Sequence, residues 1–250
     1  MVADVFSFNE PGNMSVQARQ IAGRKLAIVD NLYRDPDAVR RFALAQSFDA
    51  DGGIYPGRFA RVPLPTCPMV ELANRVLRTD GGRWLAINVG YEGVVAFAIP
   101  TAAGRDLTPL QQIPHPDGFC DYAGVLYLSK PADCTGGTSF WRHQRSGLEY
   151  SPVDGDPRSA AQVDRYGVAS PAKLLSRMIH ETLTEVIGGY ITRSNENWEL
   201  IEVVEMRTNR LVIYDANLFH SIHAPRTDWV PDPDRPRLTQ NLYLNWVSSS

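Results

Sequence analysis

Apolar and polar positions change period several times along the chain, and those changes mark out its elements. Residues 1–25 are mixed and weakly patterned, as expected of a leader laid over the surface. The first apolar run, Leu26 to Asp30, reads as a short strand. Asp35-Pro36 then offers an N-cap with proline at the first helical position, and Val39, Phe42 and Ala43 recur at helical spacing toward Phe48. Glycine and proline punctuate 50–65, which predicts a loop, and a second helix is expected over 68–78. From Trp84 to Pro100 the text is rich in Val, Ile, Ala and aromatics and is broken by Gly90 and Gly93, which predicts two antiparallel strands joined by a turn. Asp121 to Ser129 reads as another strand, 131–137 as a loop, and 142–170 as a polar, irregular insert. Leu174, Leu175, Met178, Ile179 and Leu183 share one helical stripe that should face a core. Trp198 to Phe219 predicts a hairpin turning at Thr208-Asn209, and Arg237 to Trp246 alternates as a closing strand.

Many short strands, helices gathered toward the N-terminal side and no βαβ alternation predict a mostly β fold with flanking helices, an antiparallel double-sheet jelly roll. One domain over 1–250 suffices: helical and loop support over 1–83, then a core over 84–250 carrying an insert over 142–200. The 250 residues, 44% apolar, are ordinary for a globular protein with a sizeable core. A formal charge of -3 without a basic block announces no nucleic-acid surface and no anionic-membrane patch. Cys67, Cys120 and Cys134 are odd in number and lack CxxC spacing, which argues against a disulfide framework and a thiolate zinc site. With no secretory-type opening and no apolar run of membrane-spanning length, a cytoplasmic protein is expected.

Candidate chemistry sits in the stretch from His115 to Trp141 and in the later segment from Arg210 to Pro225. If His115-Pro116-Asp117 is extended, the two outer side chains leave the same face and can hold one ion together. His220 is the natural third ligand, because it closes the apolar run of Leu211, Val212, Ile213 and Tyr214. His223 is its rival, three residues on, where Pro225 is already turning the chain. Two imidazoles and one carboxylate on one side of a metal form a facial triad, which leaves the opposite positions open.

His-x-Asp alone is a weak signal. In order, however, the chain presents His115 and Asp117, then Val125-Leu126-Tyr127-Leu128-Ser129, then a Gly136-Gly137-Thr138-Ser139-Phe140 turn, then His220 and Arg237. Together these resemble the Fe(II)/2-oxoglutarate-dependent dioxygenases, in particular a bacterial subfamily of the prolyl-hydroxylase-like branch. The resemblance covers roughly 111–141 and 210–246. It departs from the family pattern at Ser129, where asparagine is usual, and in the longer gap between His220 and Arg237.

The resemblance implies a double-stranded β-helix, the jelly-roll or cupin-like fold, and Fe(II), 2-oxoglutarate and O2 as cofactor and cosubstrates. His115, Asp117 and His220 would be the catalytic metal ligands, and Arg237 would grip the far carboxylate of 2-oxoglutarate, with Arg226 and Arg235 as competitors. Tyr127 and Thr239 would add hydroxyl donors to the cosubstrate. Turnover would release succinate and CO2 with hydroxylation of substrate, and the intact Asp117 argues against the halogenating variant. Tyr55 and Arg58 (with Arg61) in the early loop, and Trp141 and Arg142 (with Arg145) at the insert, are the residues expected at the substrate mouth. The substrate is expected to be a small molecule or an amino-acid-like one. A peptidyl hydroxylase, a non-catalytic jelly-roll metal or ligand-binding module, and a hydrolytic zinc site are the competing readings. Oligomeric state is not legible in the sequence, and a homodimer is the assembly to test.

Overall fold

In the computed structural model, which describes residues 2–50, 54–78, 83–183 and 188–248, the chain is mostly antiparallel β. A short helix α1 (Val2–Val5) precedes the hairpin β1 (Ser15–Ile21) and β2 (Arg24–Asp30). Next come α2 (Pro36–Leu44), β3 (Asp49–Ala50), β4 (Gly57–Pro63), α3 (Cys67–Leu77), β5 (Arg83–Ile87) and β6 (Val94–Pro100). The remainder runs β7 (Tyr122–Tyr127), β8 (Gly137–His143), α4 (Pro157–Tyr166), α5 (Pro171–Leu183), β9 (Trp198–Glu205), β10 (Arg210–Asp215), β11 (His220–His223) and β12 (Thr239–Ser248).

The large sheet has the order β1-β2-β10-β7-β12-β6-β4-β3, with β5 also on β12, and the small sheet is β11-β8-β9. From β6 onward the chain passes back and forth between the layers. His115 bridges to β11 of the small sheet, β7 returns to the large one, β8 and β9 lie in the small one, and β10, β11 and β12 alternate again.

Side-chain alternation explains why the central strands read as continuous apolar runs. In β10, Leu211 and Ile213 face a core shared with α2 and α3, while Val212 and Tyr214 face the space between the sheets. In β2, Ala27 and Val29 divide from Leu26 and Ile28 in the same way. The inter-sheet core is filled by Phe140, Trp141, Trp198 and Leu218, and by Leu174 and Met178 of α5. Helix α2 starts as expected, the Asp35 carboxylate accepting from the Ala38 N–H at 2.8 Å.

Several expectations need correction. The leader contains β1, whose exposed, two-faced polar sequence gives no period-2 signal; a tight turn at Ala22 and Gly23, both at positive φ, pairs it with β2. The loop over 50–65 includes β4, paired along its length with β6. The strands expected to form a hairpin over Trp84 to Pro100 do not pair with each other. β6 takes Thr239 to Asn241 of β12 and β5 takes Leu244 to Ser248, end to end along one edge. β9 and β10 are likewise no hairpin, because the chain changes sheets at Asn209, which adopts a left-handed conformation. Gly137 to Phe140 open β8 and do not form a turn, only Gly136 before them being at positive φ, and the irregular insert contains α4, capped by Asp156. Part of the α5 stretch, 184–187, lies outside the described residues.

That change of layers is pinned by Arg210. Its guanidinium donates to both carboxylate oxygens of Asp30 (2.6 and 2.9 Å) and to Glu205 O, and it is largely buried. Asp30→Ala would leave this charge without its partner. We expect a loss of about 3 kcal/mol in chemical denaturation at an unchanged m-value, and a loss below 1 kcal/mol would mean the pair does not hold the crossover.

Candidate metal centre

The inner face of the large sheet carries small and polar residues at one end. Ala98 and Tyr127 flank Thr239, and Ala96 and Val125 flank Asn241. Gly124 and Ala123 follow on β7. Large side chains fill the inter-sheet space elsewhere, but here a cavity of about 450 Å³ remains.

His115 and His220 meet across this cavity through a backbone bridge. The His115 N–H donates to His220 O (3.0 Å) and the His220 N–H to His115 O (3.1 Å), while the Asp117 N–H donates to Ala216 O (2.8 Å). One ligand atom from each of His115, Asp117 and His220 lies within 4.8 Å of the others. His220 Nδ1 is set against Leu218 O at 2.8 Å, and His115 Nδ1 against Ile113 O at a longer 3.5 Å. This arrangement fixes the rings and turns His220 Nε2 toward Asp117 Oδ2, 3.4 Å away.

Burial, then the neighbouring His220, hold the His115 imidazole down at about 4, so it stays neutral. Burial tends to raise the Asp117 carboxyl, but the adjacent imidazoles outweigh it and keep the group ionised. His220 is moved the other way, up, because Asp117 overcomes its burial. A neutral imidazole beside a carboxylate is the protonation state that binds a divalent cation.

His220 does not close the strand that the sequence suggested. β10 ends at Asp215, a turn through Asn217 follows, and His220 opens β11 in the other sheet. His223 lies outside the cavity lining: it faces a separate groove with Arg207 and Pro225, whereas His220, Ser221 and Ile222 line the main cavity.

Arg237 lines the cavity and is 8% exposed. Its Nη2 donates to Gly137 O (2.7 Å), and its carbon centre sits 5.5 Å from the Tyr127 ring. Its Nε is buried without a partner, as is the Tyr55 hydroxyl, whose titration is shifted up by burial and pulled back by Arg237. Arg226 and Arg235 are exposed and paired with Asp228 and Asp232. Thr239 lines the cavity with Arg237, but the Tyr127 hydroxyl is bonded to Thr138 Oγ1 at 2.6 Å, so Tyr127 packs beneath Arg237 instead of presenting its hydroxyl.

The expected substrate mouth is only partly assembled. Tyr55 lines the cavity. Arg58 is exposed on β4, on the face opposite Phe59, and Arg61 lies over the Phe59 ring at the sheet edge. Trp141 is fully buried, its indole N–H shared between Ser139 and Ser221. Arg142 is held by Glu149 and Glu199, and Arg145 by Glu181. Sequence reasoning missed Tyr91, Phe119, Tyr190, Tyr214 and Tyr243 in the lining. Tyr243 was within reach, since it continues the alternation of Arg237, Thr239 and Asn241.

A family model described as a family of unknown function, DUF6445, matches residues 12–244. No curated protein matches the sequence. Among solved structures, HygX from Streptomyces hygroscopicus with nickel and 2-oxoglutarate bound is 13% identical, with 88% of this chain and 82% of that chain covered at a TM-score of 0.42. The non-haem alpha-ketoglutarate-dependent carbocyclase SnoK from nogalamycin biosynthesis is 8% identical, with 88% and 79% covered at 0.40. Among the described residues no helix is long and apolar enough to cross a membrane.

If the three ligands act together, saturating Fe(II) or Ni(II) should raise the melting temperature of the metal-free protein, by the equivalent of about 2.7 kcal/mol at a hundredfold excess over Kd. Asp117→Ala and His220→Ala should abolish the shift and His223→Ala should keep it. The converse result would transfer the third ligand to His223.

Proposed function

The chain belongs to the DUF6445 family, and we propose that it is a non-haem Fe(II)- and 2-oxoglutarate-dependent oxygenase, hydroxylating a small-molecule substrate with release of succinate and CO2. On this reading residues 1–250 form one domain built on a double-stranded β-helix, for which the to-and-fro of the chain between two sheets is the support. The observation that carries the function is the pairing of a His-Asp-His cluster with a buried, incompletely satisfied arginine in one cavity.

The donor set fits Fe(II): two imidazoles and one carboxylate bind it and leave it charged, with positions open to other ligands. When bound, the metal would supply dioxygen activation coupled to decarboxylation of the 2-oxo acid. The protein's own residues do the rest. His115, Asp117 and His220 hold the ion, and the carbonyls of Ile113 and Leu218 keep the rings aimed. Arg237, with Nε free of protein partners, is placed to take the far carboxylate of 2-oxoglutarate through paired charge-assisted hydrogen bonds. The free hydroxyl of Tyr55 and the hydroxyl of Thr239 would complete that pocket, and Tyr127 supports the guanidinium from below. An unpartnered buried donor is costly, so these groups await an acceptor.

An anaerobic titration of Fe(II)-loaded protein with 2-oxoglutarate should develop the weak visible charge-transfer absorption of the chelate. Arg237→Ala should weaken 2-oxoglutarate roughly a hundredfold, and Tyr55→Phe about tenfold, with Fe(II) affinity retained in both. Absence of the band in the wild type would refute the reading. Binding without oxygen-dependent succinate would instead favour the non-catalytic module.

A further inference from the structure

Resting on the oxygenase reading of the same cavity, we infer that its substrate is an uncharged molecule with a flat aromatic or fused-ring face, taken up against a wall made by Tyr91, Phe119 and Tyr243. The Tyr243 ring touches both of the others, with Tyr91 to Tyr243 at 4.6 Å and Phe119 to Tyr243 at 4.9 Å between centroids. Asn88 braces the wall, because its side chain donates to Phe119 O (2.9 Å) and to Asn245 Oδ1 (2.7 Å) while its oxygen accepts from the Gly90 N–H. The three aromatics are thus held by one turn and one strand edge. Phe119 is 51% exposed, and Ile54, also exposed, lies on the lining of the same cavity. Exposed apolar surface around an opening is what a ligand groove shows and what an isolated domain otherwise avoids.

Charge points the same way. Among the described residues of the lining, the fixed charges are those of Asp117 and Arg237. With a divalent ion on Asp117 and a dicarboxylate on Arg237, the four charges cancel, and none is left for a charged substrate. The amides of the lining already engage the protein: Asn241 donates to the Tyr243 hydroxyl and accepts from Thr239, Gln112 donates to Leu107 O and accepts from the Gly188 N–H, and Gln111 accepts from the Thr108 N–H. A zwitterionic amino acid would be desolvated there without partners. A methylated ammonium needs rings set apart around a gap, whereas these rings touch. Arg61, at the sheet edge over Phe59, lies outside the lining.

The test is calorimetric titration with 2-naphthol, 2-naphthoate, choline and L-lysine as probes. Each is run on metal-free protein and on protein loaded with Fe(II) and 2-oxoglutarate under nitrogen. We expect 2-naphthol to bind saturably in both states and at least tenfold more tightly than the other three. Phe119→Ala and Tyr91→Ala should each weaken it about tenfold with circular dichroism unchanged. Equal or tighter binding of choline, naphthoate or lysine, no binding of naphthol, or naphthol affinity indifferent to both substitutions would overturn the inference. Failure of 2-oxoglutarate to bind while naphthol keeps its dependence on Phe119 and Tyr91 would sink the oxygenase reading and leave the ring-face preference standing.

Discussion

The convergence of the candidate metal ligands depends on two backbone hydrogen bonds exchanged between His115 and His220, residues far apart in sequence, with Asp117 tied beside them through its N–H to Ala216 O. Side-chain ligands alone would have to be immobilised separately, each at the cost of its rotamer freedom. Here the peptide bridge sets the Cα positions and two backbone carbonyls set the ring directions. The convergence of the three donors is therefore fixed before any ion arrives. The bridge also joins the His115 segment to the small sheet, so the geometry of the ligands and the spacing of the two layers are one constraint.

The second constraint is size matching between layers. Where Phe140, Trp141 and Trp198 fill the gap, the sheets close on a dry core. Where β6, β7 and β12 offer alanine, glycine and short polar residues, they leave a cavity. Arg237 lies at the junction, bonded to Gly137 of the small sheet and stacked over Tyr127 of the large one. A buried guanidinium with an unused nitrogen is tolerated in this position because the cavity beside it can admit an acceptor.

Local signals in the sequence were read well. Asp35-Pro36 gives a helix start because its hydrogen bond is made within three residues, and the alternation from Arg237 onward does place Arg237, Thr239 and Asn241 on one face. The two-residue spacing links His115 to Asp117, and His220 joins them although it opens β11 and does not end the apolar run of β10. What escaped was nonlocal. β1 has no hydrophobic face to announce it, β4 is hidden by its glycine and proline neighbours, and nothing in the text of β9 and β10 says that a hairpin-like turn changes sheets. Trp141 reads as a mouth residue because it borders the 142–170 insert, yet an irregularity in β8 between Phe140 and Trp141 leaves both side chains in the buried core. The aromatic wall draws Tyr91, Phe119 and Tyr243 from three separate segments, and no window of sequence contains it.

β12 follows every other strand in the chain and yet lies inside the large sheet, with β7 on one side and β6 and β5 on the other. The large sheet is therefore continuous only once this strand lies between its neighbours. β12 brings Thr239, Asn241 and Tyr243 to the cavity, the last being one of the three rings of the aromatic wall, and Arg237 lies two residues before it. Completion of the pocket consequently rests on contacts between segments widely separated in sequence, which are slow to form. A nascent chain stalled short of Arg237 would present a split sheet with two raw edges, prone to capture by chaperones or by another such chain.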